Sequence, residues 1–329
     1  MRSDKREIGL CPSSPTDTGI LKWPEIITHC DWSSAAGGRW MARAVLHAGH
    51  YTAFSPEPVG DLNTLISRVR NEESRGGAAL AGFDFPIGIP SAYAVRAGLE
   101  DFRDFLKILG HGEWRDFYKV CLDQKEISLH RPFYPFNPFP KGSKRREHLT
   151  LGLGVPEFNN LLRTCELPQE DRQVAGALFW TLGAKAPGRG AIVGWRDVIA
   201  PALPDPSTKL WPFDGPLANL LVEGNLVIAE TYPTQYYAGL FVLLPGSKRD
   251  QRVRASVAPD LFQWAEKQRV ALAPELQREI ESGFPSGDDA FDAVVGLFGM
   301  IEVVFGSRPA GRPQTTESKM VEGWILGMR

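Results

Sequence analysis

The chain has no cysteine pattern able to carry a disulfide scaffold or a zinc ribbon. Cys11, Cys30, Cys121 and Cys165 are its four cysteines in 329 residues, none spaced as a metal-binding pair, so they read as reduced thiols of a cytosolic protein. None of the six histidines falls in a metal-binding spacing either. No apolar run reaches the roughly 20 residues that a bilayer-spanning helix needs. The N-terminus opens on charges and runs into Pro12 and Ser13, without the apolar stretch of a signal peptide. A cytoplasmic protein that meets no membrane is expected. Positive charge is not in excess: 37 Lys and Arg against 39 Asp and Glu leave a net charge of -2, with a pI near 6.3. That balance argues against a general nucleic-acid coat, so any polyanionic partner has to be met by a local basic patch. No internal repeat is visible.

What is present is enough apolar sequence, 43% of residues, to bury a large core as one domain with an insertion or as two domains. Residues 1–24 read as a polar lead-in. Apolar runs predict strands over 26–31, 39–46, 51–54, 78–84 and 226–230, with helix-spaced apolar residues over 62–70, around 261–281 and over 288–305. Between 91 and 222 the pattern changes to helical segments and long Pro, Gly and aromatic connections. The run from Arg131 to Pro140 can be neither a central strand nor a helix, because its prolines remove backbone donors at close intervals. The organisation expected is a core of residues 25–90 plus 223–329 interrupted by an insertion, 91–222.

Acidic residues close the predicted strands. Asp31, Asp84 and Glu230 each follow an apolar run and precede a chain-turning segment, the place where ligand crevices form in open α/β sheets. Asp289 and Asp292 are three residues apart on the last predicted helix and share a face, while Val294, Val295 and Phe298 dock it. Asp288 lies on another azimuth and reads as a capping or dipole-complementing residue. Carboxylates at the end of an apolar core are costly unless a cation compensates them. Oxygen-only ligands favour Mg²⁺ or Mn²⁺, and two such ions about 4 Å apart suit phosphodiester chemistry. Taken singly, each carboxylate is as well read as a turn residue or a helix cap.

The ordered set of Asp31-Trp32, Gly82 to Pro90, Ala229 to Pro233 and Asp288 to Ala293 resembles the ribonuclease H-like superfamily. Within it, these segments are similar to the domain-of-unknown-function 429 family of predicted nucleases, as are Gly183-Ala184-Lys185, Gly194-Trp195 and Trp211 to Asp214. The resemblance spans about residues 25–327. It implies an α/β fold with a mixed five-stranded sheet flanked by helices, and a large helical and irregular insertion between the fourth and fifth strands. It also implies a metal-dependent nuclease acting on nucleic acid or another phosphodiester-containing substrate, with Asp31, Asp84, Glu230, Asp289 and Asp292 sharing the ligation.

Other segments bear on substrate. Lys144, Arg145 and Arg146, following Phe133, Tyr134, Phe136 and Phe139, either hold phosphates while the aromatics stack on bases or form an exposed loop whose aromatics are tucked into the insertion. Lys185 and Arg189, among glycines, are phosphate-contact candidates or ordinary loop cations. His29 reads as a satisfied core histidine, Trp324 as a buried anchor and Glu322 as a turn residue. Two other readings remain open. One is an actin-like or sugar-kinase-like ATP phosphotransferase, with Gly37-Gly38 as its first phosphate loop but no Gly-rich second loop. The other is a non-catalytic module that binds nucleic acid or protein.

Overall fold

A computed structural model describes residues 22–70, 76–168, 176–183, 186–240 and 242–328. Eight strands form one mixed sheet: β1 Ile26–Asp31, β2 Trp40–His47, β3 His50–Ala53, β4 Glu57–Pro58, β5 Ala79–Phe83, β6 Thr208–Leu210, β7 Leu226–Glu230 and β8 Ala271–Leu272. Their order is β6-β7-β5-β1-β2-β3-β8, with β4 paired to β2. Strand β2 runs antiparallel to β1 and β3, whereas β1, β5, β7 and β6 are mutually parallel. The five expected strands are the contiguous β7-β5-β1-β2-β3. The five-stranded expectation is corrected by β4, β6 and β8, whose two or three residues are too short to show a hydrophobic period.

Strands β1, β5 and β7 are buried throughout, as parallel strands covered on both faces are. Alternation divides their side chains between two layers. Ile27, Leu80 and Val227 join Val294, Val295, Phe298 and Ile301 of the helix Asp288–Val304. Ile26, Ala79, Leu226 and Ile228 join Phe102, Phe117 and Trp195 from the 91–222 segment. That segment is therefore no detached body: it covers one sheet face and supplies the edge strand β6. Apart from Asp292 and Glu302 the helix is apolar from Ala290 onward, and it is buried all round, which is the signature of a core helix. Each fully buried Val or Phe on it stabilises the fold by about 1.5–3 kcal/mol. Gly296 permits its close docking, since a Cβ there would lie 2.2 Å from the His29 ring.

Register decides which carboxylates can meet. Cys30 pairs with Phe83, and Phe83 with Glu230, so the next row is Asp31, Asp84 and Thr231. Side chains of successive residues point to opposite faces. Asp31, Asp84 and Thr231 therefore point toward the helix Asp288–Val304, and Glu230 points toward the 91–222 segment.

Candidate functional site: an acidic centre at the strand ends

Asp31 ends β1, and Asp84 follows β5, its backbone N–H donating to the Cys30 carbonyl at 3.0 Å. Their carboxyls stand in one register row at the ends of neighbouring strands, near enough that the charge of Asp84 acts on Asp31. Burial pushes Asp31 well above the usual carboxylate range, and the charges of Asp84, Asp292 and Asp289 add to the shift. Asp84, partly open to solvent, is pushed up to about 8, first by burial and then by the charge of Asp292. Asp289 is raised by burial and by its neighbours Asp288 and Asp292.

The helix brings the other two acids. Gly287 is the N-cap residue and no side chain caps it, so Asp288 and Asp289 in the first turn complement the helix dipole without capping. Asp289 sits beside the turn after β1: a Cβ on Gly38 would lie 3.3 Å from Asp289 Oδ2 and 3.0 Å from Ser33 Cβ. Asp292 is buried and accepts from the Tyr237 hydroxyl and from Lys248 Nζ. Burial lowers the affinity of the Lys248 amine for its proton, but Asp292 and Asp31 outweigh this and its pKa ends up raised. Lys248 thus pairs with Asp292, and its charge also acts against the rise at Asp31, Asp84 and Asp289. Among the described residues no three His, Cys, Asp or Glu side chains are gathered tightly enough to hold a metal ion as they stand.

Glu230 is not part of this centre, which corrects the expectation that it shares the ligation. Arg163 Nη1 and Nη2 donate to its two oxygens at 2.6 Å, and the Ile87 N–H donates to Oε2 at 2.7 Å. Arg163 also pairs with Glu166 at 2.9 Å and donates to the Glu322 carbonyl. Glu322 is no mere turn residue: its carboxylate accepts from the Ser91 and Thr164 N–H groups. These contacts form a buried clamp joining the insertion, β7 and the C-terminal segment. In the row of Asp31 and Asp84 stands Thr231, whose buried Oγ1 has no hydrogen-bond partner among the described residues. His29 lies in the core as expected but is not satisfied, neither ring nitrogen finding a partner there. Burial pushes its pKa down to about 3, only partly offset by the nearby Ala293 backbone.

A polar cleft of about 650 Å³ opens over Asp84, walled by Trp32, Ser33 and Ser34 on the sheet side and by Phe136, Pro138 and Arg189 of the insertion. The turn after Asp31 is braced by Arg39, which donates to the Ser33 and Ser34 carbonyls at 2.7 and 2.6 Å and lies over the Trp32 ring. Trp32 Nε1 donates to the Gly190 carbonyl at 3.1 Å, and Trp195 Nε1 to the Pro86 carbonyl at 2.7 Å. Gly194 lets Trp195's helix settle on Phe85, whose ring would lie 2.3 Å from a Cβ there. Arg189 donates to the Phe136 carbonyl and lies over the Phe136 ring. Lys185 lies outside the described residues.

The basic run divides. Lys144 donates to the Leu122 carbonyl at 2.8 Å and faces the Tyr134 ring, Arg146 lies over Phe158, and Arg145 is exposed. Phe133 and Tyr134 are buried, whereas Phe136 and Phe139 are exposed. Sequence reasoning missed Lys248, Tyr237 and Arg163. Their partners lie 44, 55 and 67 positions away, and no local pattern separates such residues from ordinary loop side chains. Trp324 is buried, donating to the Met328 carbonyl at 3.2 Å.

No family model, curated protein or solved structure matches the chain. No helix of the described residues is long and apolar enough to cross a membrane.

Proposed function

We propose that the protein is a metal-dependent hydrolase of phosphodiester bonds with a ribonuclease H-like core, and that Asp31, Asp84 and Asp289 hold Mg²⁺ or Mn²⁺, as one ion or a bridged pair. The mixed sheet flanked by helices, with a long segment between β5 and β7, supports the architectural part. One observation carries the chemistry: carboxyls at the ends of adjacent strands stand beside two helix carboxylates, with Lys248 paired to one of them, and Asp84 lines an open cleft. The donor set suits a hard cation, being all oxygen. The orphaned Thr231 Oγ1 in the same row is a further oxygen without a partner among the described residues. When bound, such a cation supplies Lewis-acid polarisation of a phosphoryl oxygen.

The residues divide the remaining work. Asp84, raised to about 8 without metal, would give up its proton when a cation binds, so metal affinity should rise with pH through the neutral range. Lys248 and Tyr237 fix Asp292 through both its oxygens. Trp32 and Arg39 hold the turn that carries Ser33 to the cleft. The acid at Gly38 disfavours a triphosphate on the Gly37-Gly38 turn, which weakens the phosphotransferase reading.

The test is a pair of measurements on wild type and Asp31→Asn: the melting temperature with and without Mg²⁺ or Mn²⁺, and hydrolysis of bis(p-nitrophenyl) phosphate. Wild type is expected to show a metal-induced rise by linkage, and the variant to lose both the rise and the activity. Equal metal-induced shifts would sink the proposal. A second reading is favoured by the placement of Asp31 and Asp84 in one row with both carboxyls pushed up: a metal-free acid pair that shares one proton. Activity that survives exhaustive chelation selects it.

A further inference from the structure

Part of the exposed aromatic strap of the insertion lines the same cleft as Asp84. Phe136, Asn137 and Pro138 line that cleft together with Asp84 and Arg189. Phe136 is 51% exposed and Phe139 69% exposed, while Phe133 and Tyr134 of the same strap are buried. The backbone beneath the exposed pair is pinned on both sides. Cys121 N–H donates to the Phe133 carbonyl at 2.8 Å and Phe136 N–H to the Cys121 carbonyl at 2.8 Å. Tyr134 N–H donates to Phe179 and Thr181 N–H to Tyr134, at 2.9 and 3.0 Å. Phe136 is thus held in place before any ligand arrives, so little ordering entropy is lost when a flat ring settles on it.

Scattered exposed phenylalanines need no explanation of their own. This one differs by its company. The Arg189 guanidinium lies 5.5 Å from the centroid of the Phe136 ring, and its buried Nε has no hydrogen-bond partner among the described residues. A planar cation, a half-exposed aromatic ring and an unmatched donor therefore border one cavity that Asp84 also lines. Every nucleobase has a π-face, and stacking on aromatics with cationic neighbours is how unpaired strands are gripped without sequence readout. A cleft of about 650 Å³ has room for about one or two nucleotides. A duplex keeps its bases stacked on one another and offers no free face except at its ends.

Resting on the phosphodiesterase reading, we propose that the substrate is an unpaired nucleic-acid strand, one base stacking on Phe136 and the next on Phe139 while its backbone phosphate meets Arg189. The exposed Arg145, a few residues beyond the strap, extends the track for the following phosphates.

Fluorescence anisotropy tests this on the full chain, with labelled dT and U oligonucleotides and a matched duplex, in Ca²⁺ in place of Mg²⁺. Single strands are expected to bind at least about tenfold tighter than the duplex, as loss of one to two stacked bases implies. Phe136→Ala should weaken single-strand binding about five- to hundredfold, Phe136→Trp should retain it, and the salt dependence of Phe136→Ala should match wild type because no phosphate contact is lost. Phe139→Ala serves as the second variant. Wild-type affinity in both alanine variants, duplex binding as tight as single-strand binding, or no oligonucleotide binding at all would each overturn the proposal. Hydrolysis of bis(p-nitrophenyl) phosphate, which carries no nucleobase, is measured on the same proteins. Its loss in Asp31→Asn alongside unaltered oligonucleotide binding by Phe136→Ala would remove only the stacking inference. Phe136-dependent binding without metal response or hydrolysis would remove only the hydrolase.

Discussion

Metal-free protein should lose stability between pH 6.5 and 8, and Asp84→Asn should reduce that loss. Asp84 in the folded protein is raised to about 8 from an ordinary value of 3.8, by burial first and then by Asp292. Between those values the folded state holds a proton that the unfolded chain has released, so stability falls as pH rises. His29 works in the other direction, because its folded value near 3 lies below an ordinary 6.5. Its contribution grows with pH only up to about 6.5 and is flat above, which sets the lower edge of the window. Integrated from pH 6.5 to 8, a shift of this size corresponds to about 1.6 kcal/mol. Discounting for the partial exposure of Asp84 and for its interaction with the neighbouring Asp31 leaves about 1 kcal/mol. With an unfolding entropy of about 2.1 cal/mol/K per residue, the melting temperature drops by about 1.5 °C. Differential scanning calorimetry in EDTA, at half-unit pH steps, resolves this. Added Mg²⁺ should flatten the wild-type profile. Parallel pH profiles for wild type and Asp84→Asn would refute the argument.

Glu230→Gln should destabilise the fold by about 3–5 kcal/mol, because it leaves the buried Arg163 charge short of a partner. Its metal-induced rise in melting temperature should match wild type, and urea unfolding with and without Mg²⁺ checks both halves. Lys248→Met removes the ammonium on Asp292. It should lower the melting temperature without metal and enlarge the metal-induced rise; an unchanged rise would show that this ammonium does not offset the acidic centre.

The strands β1, β5 and β7 were legible because each is an unbroken apolar run ended by an acid, and the core helix because its apolar residues continue past any single face. Strands β4, β6 and β8 were not, since two or three residues carry no period and pair only where the sheet offers an edge. The Arg131 to Pro140 run was legible as loop from its prolines, but which of its aromatics stay exposed depends on Phe179 and Cys121, remote in sequence from part of the strap.

Sequence by itself determined that Asp31 and Asp84 each close a buried run, and that Asp289 and Asp292 share a helical turn. Local order suffices for that, because a strand end and an i, i+3 spacing are properties of neighbouring residues. Only tertiary structure decided which acids meet. Parallel pairing of Phe83 with Glu230 sets Glu230 one residue out of phase with Asp84, so the pleat turns it to the opposite face and to Arg163. The same pairing brings Thr231 into the row of the two aspartates. Lys248 reaches Asp292 from a loop 44 residues earlier. Register and long-range packing are relations between segments, and they exist only once the sheet has formed.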